Sequence, residues 1–133
     1  MCGIAGSIGP IKPDQGRVDA TLFAMQNRGP DSSGVYYNKI GKNIISLLHS
    51  RLSIIDLDPR SHQPFIDDKY ILVYNGEIYN YIELKLELES LGHRFTTTSD
   101  TEVVVKSYKQ FGASCVDHFE GMWAFALLDK REN

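Results

Sequence analysis

The cysteine at position 2, in MCGIAG, is open to two chemistries. With Met1 removed it becomes residue one, and its thiol a candidate nucleophile. As a small apolar residue at the start of a strand it needs no chemistry at all. Arg51 interrupts the apolar run LLHSRLSII. A guanidinium in such a place either reaches solvent at a strand end or meets a carboxylate, from the protein or from a ligand. Asn75-Gly76, between apolar runs in YILVYNGEIY, reads first as a hairpin turn. Glu77 follows directly, so the same turn would gather a carboxamide, a backbone N–H and a carboxylate.

Asp100, in TTTSDTEV, suits a helix N-cap, worth about 1 kcal/mol. A carboxylate at a strand-to-helix junction is also well placed for an ammonium group. RGPD from Arg28 reads as a turn, and Cys115 as a core residue. His49, His62, His93 and His118 lack metal-ligand spacing, and no Cys/His cluster suggests zinc. The phosphate-cradling pattern G-x-x-x-x-G-K-[ST] is absent.

The elements that would position these groups are mixed. CGIAGSIG is a strand closed by Gly9-Pro10, and PIKPDQG is loop. Val18, Leu22 and Met25 recur at helical spacing and predict a helix over Arg17 to Asn27. GVYYN and IISLLHSRLSII predict strands, and RSHQP a polar connection. YIELKLELESLG alternates like a strand, but Asn80, Glu83 and Gly92 supply helix boundaries and decide for helix. RFTTT predicts a strand. Asp100 then caps a helix to Phe111, with Val104, Tyr108 and Phe111 inward and Gly112 as stop. A short helix from Cys115 to Phe119 precedes the strand GMWAFALLD. Strands and helices without strict alternation predict a layered α+β or α/β fold with antiparallel pairing.

At 133 residues the chain fits one domain with a real core. Its 42% hydrophobic and 23% charged residues are those of a globular protein. A net charge of −3, with no basic run, excludes a nucleic-acid partner as the first reading. Two cysteines and no signal peptide argue against a disulfide framework and for a cytoplasmic protein with reduced thiols. The longest apolar run, from Met122, is too short to cross a membrane. That run also makes an exposed final strand hard to protect, so a continuing fold is expected after DKREN.

Taken together in order, Cys2-Gly3-Ile4, RGPDSSG, RLSIID, YNGEIYN, SDTEV and FEGMWAFALLD closely resemble the class II glutamine amidotransferase domain of glutamine-dependent asparagine synthetases. The resemblance spans residues 1–133, with Asn27 standing where that family usually has histidine. It implies an N-terminal nucleophile hydrolase fold, α+β in four layers, α-β-β-α, incomplete at its C-terminus. It also implies an ATP-dependent synthetase domain beyond these residues, with ATP and magnesium bound there and no cofactor here.

The resemblance further implies the site. Cys2 would attack the carboxamide of L-glutamine, and Asn75 with Gly76 would stabilise the oxyanion. Arg51 would bind the α-carboxylate and Asp100 the α-ammonium, with Glu77 orienting it. Leu52, Ser53, Ile54 and Ile55 would line the pocket. With Met1 retained the Cys2 nitrogen is an amide and no base, and hydrolysis is expected to be nearly absent. The ammonia acceptor is expected to be aspartate. A sugar phosphate, another carboxylate or a non-catalytic binding module on the same scaffold remain alternatives, and a homodimer is one assembly open to the chain.

Overall fold

The computed structural model describes residues 2–53 and 61–131. Six strands and three α-helices follow in the order β1 (Gly3–Gly9), α1 (Gln15–Met25), β2 (Ser32–Ile40), β3 (Asn43–Arg51), β4 (Phe65–Asp67), β5 (Tyr70–Ile78), α2 (Tyr81–Ser90), α3 (Asp100–Phe111) and β6 (Gly121–Asp129). A 3₁₀ helix, Gly112–His118, links α3 to β6. The strands form two antiparallel sheets of three, ordered β1-β3-β2 and β4-β5-β6.

Alternation along the central strands produces the layers. On β3, Leu47 faces the second sheet and meets Ile71 and Val73 of β5, with Ile4, Tyr36, Ile45 and Leu128 packed around them. The other face of β5 carries Tyr70, Leu72, Tyr74 and Ile78 against Leu84 and Leu88 of α2 and Val103 to Val105 of α3. Helix α1 contacts β1 and β3 of the first sheet, with Val18 buried. The result is the expected α+β stack of helix, sheet, sheet and helices. No helix among the described residues is long and apolar enough to cross a membrane.

Several boundaries differ from expectation for identifiable reasons. Helix α1 starts two residues early because the Asp14 carboxylate caps it, accepting from Arg17 N at 2.9 Å. Asn75-Gly76 forms no hairpin: β5 runs unbroken through both residues, paired with Ala124 and Trp123 of β6. RFTTT is not a strand, since the Thr96 and Thr97 amides turn to the Glu102 carboxylate instead of a ladder. The cap of α3 is Ser99, whose hydroxyl accepts from Thr101 N at 3.1 Å, and Asp100 is the first helical residue. Asn80 does occupy the cap position of α2. Its side chain nonetheless bonds His118 O and Glu120 N rather than the helix.

Candidate active site

Register brings the site together. Gly3 pairs with Ser50, so Cys2, one residue earlier, lies beside Arg51 at the end of β3. Arg51 shares the face of Leu47 and His49 and so faces the second sheet. It is buried, with 5% of its surface exposed, as a strand residue inside an apolar run must be. The Cys2 thiol sits on the Leu52 peptide, 3.4 Å from its N and 3.7 Å from its O. A cavity of about 130 Å³ opens beside it, roomy enough for a small molecule. Cys2, Arg51, Leu52, Gly76, Glu77 and Asp100 all line it.

The backbone of β5 completes one wall. Its odd-numbered residues turn their amides to β6, as Tyr79 N to Glu120 O and Lys130 N to Lys69 O show at the two ends. The even-numbered ones face the other way. There β4 stops pairing at Leu72, and side chains take over from the missing strand. Tyr74 N donates to Gln63 Oε1 at 2.6 Å, and Ile78 N to Asp100 Oδ2 at 3.2 Å. Gly76 lies between them with the same parity, so its N–H points away from β6 at the wall of the cavity. An added Cβ at Gly76 would lie 2.5 Å from Met122 O, so only glycine permits this approach of β5 and β6.

Asp100 is buried at the start of α3, its Oδ2 also accepting from Tyr74 Oη at 2.7 Å. Burial raises its pKa, opposed by the hydrogen bonds from Tyr74 and Ile78. Burial and the adjacent Asp100 charge together raise the Tyr74 phenol, which stays a donor. His49 Nε2 donates to Tyr74 O at 3.1 Å. Desolvation lowers the His49 pKa to about 4, so the imidazole is neutral.

Not every expected residue reaches the cavity. Asn75 is absent from its lining, and its buried Oδ1 has no hydrogen-bond partner among the described residues. An orphaned acceptor of this kind costs about 1–3 kcal/mol until a donor arrives. Ser53 is not a lining residue either; its N–H is committed to Asp31 Oδ2 at 2.7 Å. Ile54 and Ile55 lie outside the described residues.

The RGPD turn does more than reverse the chain. Arg28 Nε donates to Cys2 O at 3.0 Å, and Asp31 N donates to Arg51 O at 3.0 Å. Gly29 makes this closeness possible, since a Cβ there would meet Ser50 O at 2.1 Å. Tyr74, Ser61 and Gln63 also line the cavity and were not singled out from sequence. In sequence Tyr74 is one more aromatic of an apolar strand, and Gln63 belongs to a polar connection.

The family described as glutamine amidotransferase domain matches residues 1–133. A putative asparagine synthetase [glutamine-hydrolyzing] 2 of Methanocaldococcus jannaschii is 39% identical over 99% of this chain and 28% of its own length. Asparagine synthetase [glutamine-hydrolyzing] 3 of Bacillus subtilis is 36% identical, over 100% of this chain and 22% of its own. The chain thus spans 22–28% of the length of these relatives. Among solved structures, the glutamine phosphoribosylpyrophosphate amidotransferase of B. subtilis superposes with a TM-score of 0.53 at 27% identity. That match covers 68% of this chain and 22% of the other. With the family model spanning residues 1–133 and these relatives covering 99–100% of its length, the chain belongs to the glutamine amidotransferase domain family.

Proposed function

We propose that the chain hydrolyses the side-chain carboxamide of L-glutamine through a γ-glutamyl thioester on Cys2. The observation carrying this reading is the Cys2 sulfur, held on the Leu52 peptide at the wall of a cavity that Arg51, Gly76, Glu77 and Asp100 share. Removal of Met1 frees an α-amino group on the same residue as the thiol, a base beside its nucleophile. The amine takes the thiol proton and the thiolate attacks the carboxamide carbon. Negative charge then collects on the former carbonyl oxygen.

Gly76 N–H meets that charge; the Asn75 carboxamide, outside the cavity lining in this structure, joins as second donor on turning inward. A donor of this kind is worth about 2.7–4 kcal/mol in the barrier. Collapse expels ammonia, which leaves with the proton the amine had taken. Water then cleaves the thioester to glutamate and restores the thiol. Arg51 pairs with the substrate α-carboxylate as a planar fork, and Asp100 accepts from the α-ammonium, oriented with Glu77. Gripping both charges of a free amino acid selects it over a peptide-linked residue. Leu52 forms the adjoining wall.

The ammonia serves ATP-dependent synthesis of asparagine from aspartate in a C-terminal synthetase domain, where ATP and magnesium bind, in a cytoplasmic protein. Support for this comes from the names of the relatives, of whose length the chain spans 22–28%. The test begins with intact mass to establish loss of Met1. A glutamine-analogue electrophile should then add one equivalent at Cys2, and Cys2→Ala should abolish both adduct and glutamate release. Glutamate release surviving in Cys2→Ala would refute the mechanism.

A further inference from the structure

Tyr74 is held at three points. Its N–H donates to Gln63 Oε1 at 2.6 Å, its carbonyl accepts from His49 at 3.1 Å, and its hydroxyl donates to Asp100 Oδ2 at 2.7 Å. The ring is 3% exposed, packed in the core between β5 and α3. In register, Gln63 falls opposite Tyr74, two residues past the paired Phe65 and Leu72 and beyond Pro64. A side-chain oxygen takes the place of the ladder partner there, and side chains from three separate segments fix this one residue. A tyrosine tied this way presents its hydroxyl as a rigid donor, with little rotational freedom left to lose.

That donor falls on one oxygen of Asp100. Tyr74 Oη and Ile78 N both bond Oδ2, which leaves Oδ1 as the oxygen to meet a ligand, with the Thr101 amide also against the carboxylate. We propose that Tyr74 is a positioning residue for recognition of the substrate α-ammonium, acting by locking the Asp100 carboxylate in a single orientation. This rests on the reading that Asp100 binds that ammonium. Without the phenol, Asp100 keeps only the backbone donors of Ile78 and Thr101, and its carboxylate is less firmly oriented. An ammonium would then meet a carboxylate that must be ordered during binding.

The test separates this role from a structural one by using a ligand without the ammonium. Binding of glutamine and of its desamino analogue, 4-carbamoylbutanoate, is measured calorimetrically in the full-length natural protein carrying Cys2→Ala, so that nothing turns over. Adding Tyr74→Phe should weaken glutamine about tenfold and the analogue less than about twofold, the loss of one charge-assisted hydrogen bond felt only through Asp100. With Cys2 restored, the loss should appear in KM, with kcat within about twofold. Equal weakening of both ligands, or of neither, overturns the proposal. Gln63→Met, which releases the Tyr74 backbone without touching the phenol, should give the same selective loss and serves if Tyr74→Phe folds poorly. Asp100→Asn should abolish the preference for glutamine over the analogue. A preference that persists in Asp100→Asn refutes the Asp100 reading itself, whatever Tyr74→Phe does.

Discussion

Asp31 holds both ends of the segment that follows β3: its own N–H donates to Arg51 O at 3.0 Å, and its carboxylate accepts from Ser53 N at 2.7 Å. Leu52, whose peptide carries the Cys2 thiol, lies between those two bonds. Asp31→Ala removes the second bond and frees the segment on one side. The expected result is a several-fold rise in KM for glutamine and a loss of about 1 kcal/mol in stability, the usual worth of such a bond. Asp31→Asn keeps an acceptor and should fall between. Steady-state glutamate release checks this, and an unchanged KM in Asp31→Ala would contradict it.

Glu102 organises the approach to Asp100. Its carboxylate is 1% exposed and accepts from Thr97 N at 2.7 Å, Thr97 Oγ1 at 2.8 Å and Thr96 N at 3.0 Å. Lys106, one turn on, lies 3.7 Å away and also pairs with Asp67 at 2.7 Å. Removing the carboxylate strands the Thr96 and Thr97 amides and leaves Lys106 with Asp67 alone. Glu102→Ala should cost about 3 kcal/mol, seen as a lower urea midpoint, while Glu102→Gln keeps one acceptor and should cost less.

How far the sequence reached depended on how local each signal was. Helices α1, α2 and α3 were legible within a residue or two because spacing and caps lie within a few residues of each other. Arg51 stood out because a guanidinium in an apolar strand is rare. Asn75-Gly76 misled because hairpin chemistry is local, while β5 pairs with a strand some fifty residues further on. The threonines of RFTTT favour strands intrinsically, but Glu102 offers their amides a buried carboxylate. Tyr74, His49 and Gln63 could not be read at all. Their importance lies in three segments meeting at one residue, and nothing in any one segment encodes that.

His49 gives the fold an acid weakness. Its folded pKa is about 4, against 6.5 for the unfolded chain, because burial disfavours the charged ring. As pH falls below 6.5 the unfolded state takes up a proton that the folded state refuses, so stability drops until the folded ring also titrates. Over that window the loss is about 3 kcal/mol. His49→Gln keeps a donor for Tyr74 O and removes the titration. Urea midpoints between pH 7 and 4 should therefore fall less steeply in the variant than in the parent chain, and parallel slopes would show that His49 is not the cause.

Gly76 should tolerate no side chain. A Cβ would stand 2.5 Å from Met122 O and 2.6 Å from Trp123 Cα, both backbone atoms that cannot rotate aside. Gly76→Ala must push β6 away from β5 at the point where the Gly76 amide faces the cavity. Overpacking of this kind costs about 1–3 kcal/mol. The expected outcome is a lower Tm, with kcat falling more than KM rises, because the displaced amide serves the transition state more than the bound substrate. A loss confined to KM would place the Gly76 amide outside the oxyanion site.

Asp100 links acid to substrate binding in the opposite sense from its effect on the fold. Burial raises its folded pKa above the ordinary aspartate range, so the protonated form suits the folded state better than the unfolded one. At this residue, stability is favoured below the unfolded pKa and lost as pH rises through the folded value. Binding an ammonium requires the ionised form, so glutamine affinity should fall as pH drops through that same folded value. Tyr74 and Glu77 from β5, Arg51 from β3 and Cys2 face the same cavity, and Glu77 raises the Asp100 pKa while the Tyr74 hydrogen bond lowers it. Tyr74→Phe should therefore move the acid limb of kcat/KM to higher pH, and Asp100→Asn should lower the plateau and erase that limb. A limb that survives Asp100→Asn would belong to another group, and Glu77→Gln, which should move it to lower pH if Asp100 is responsible, then identifies which.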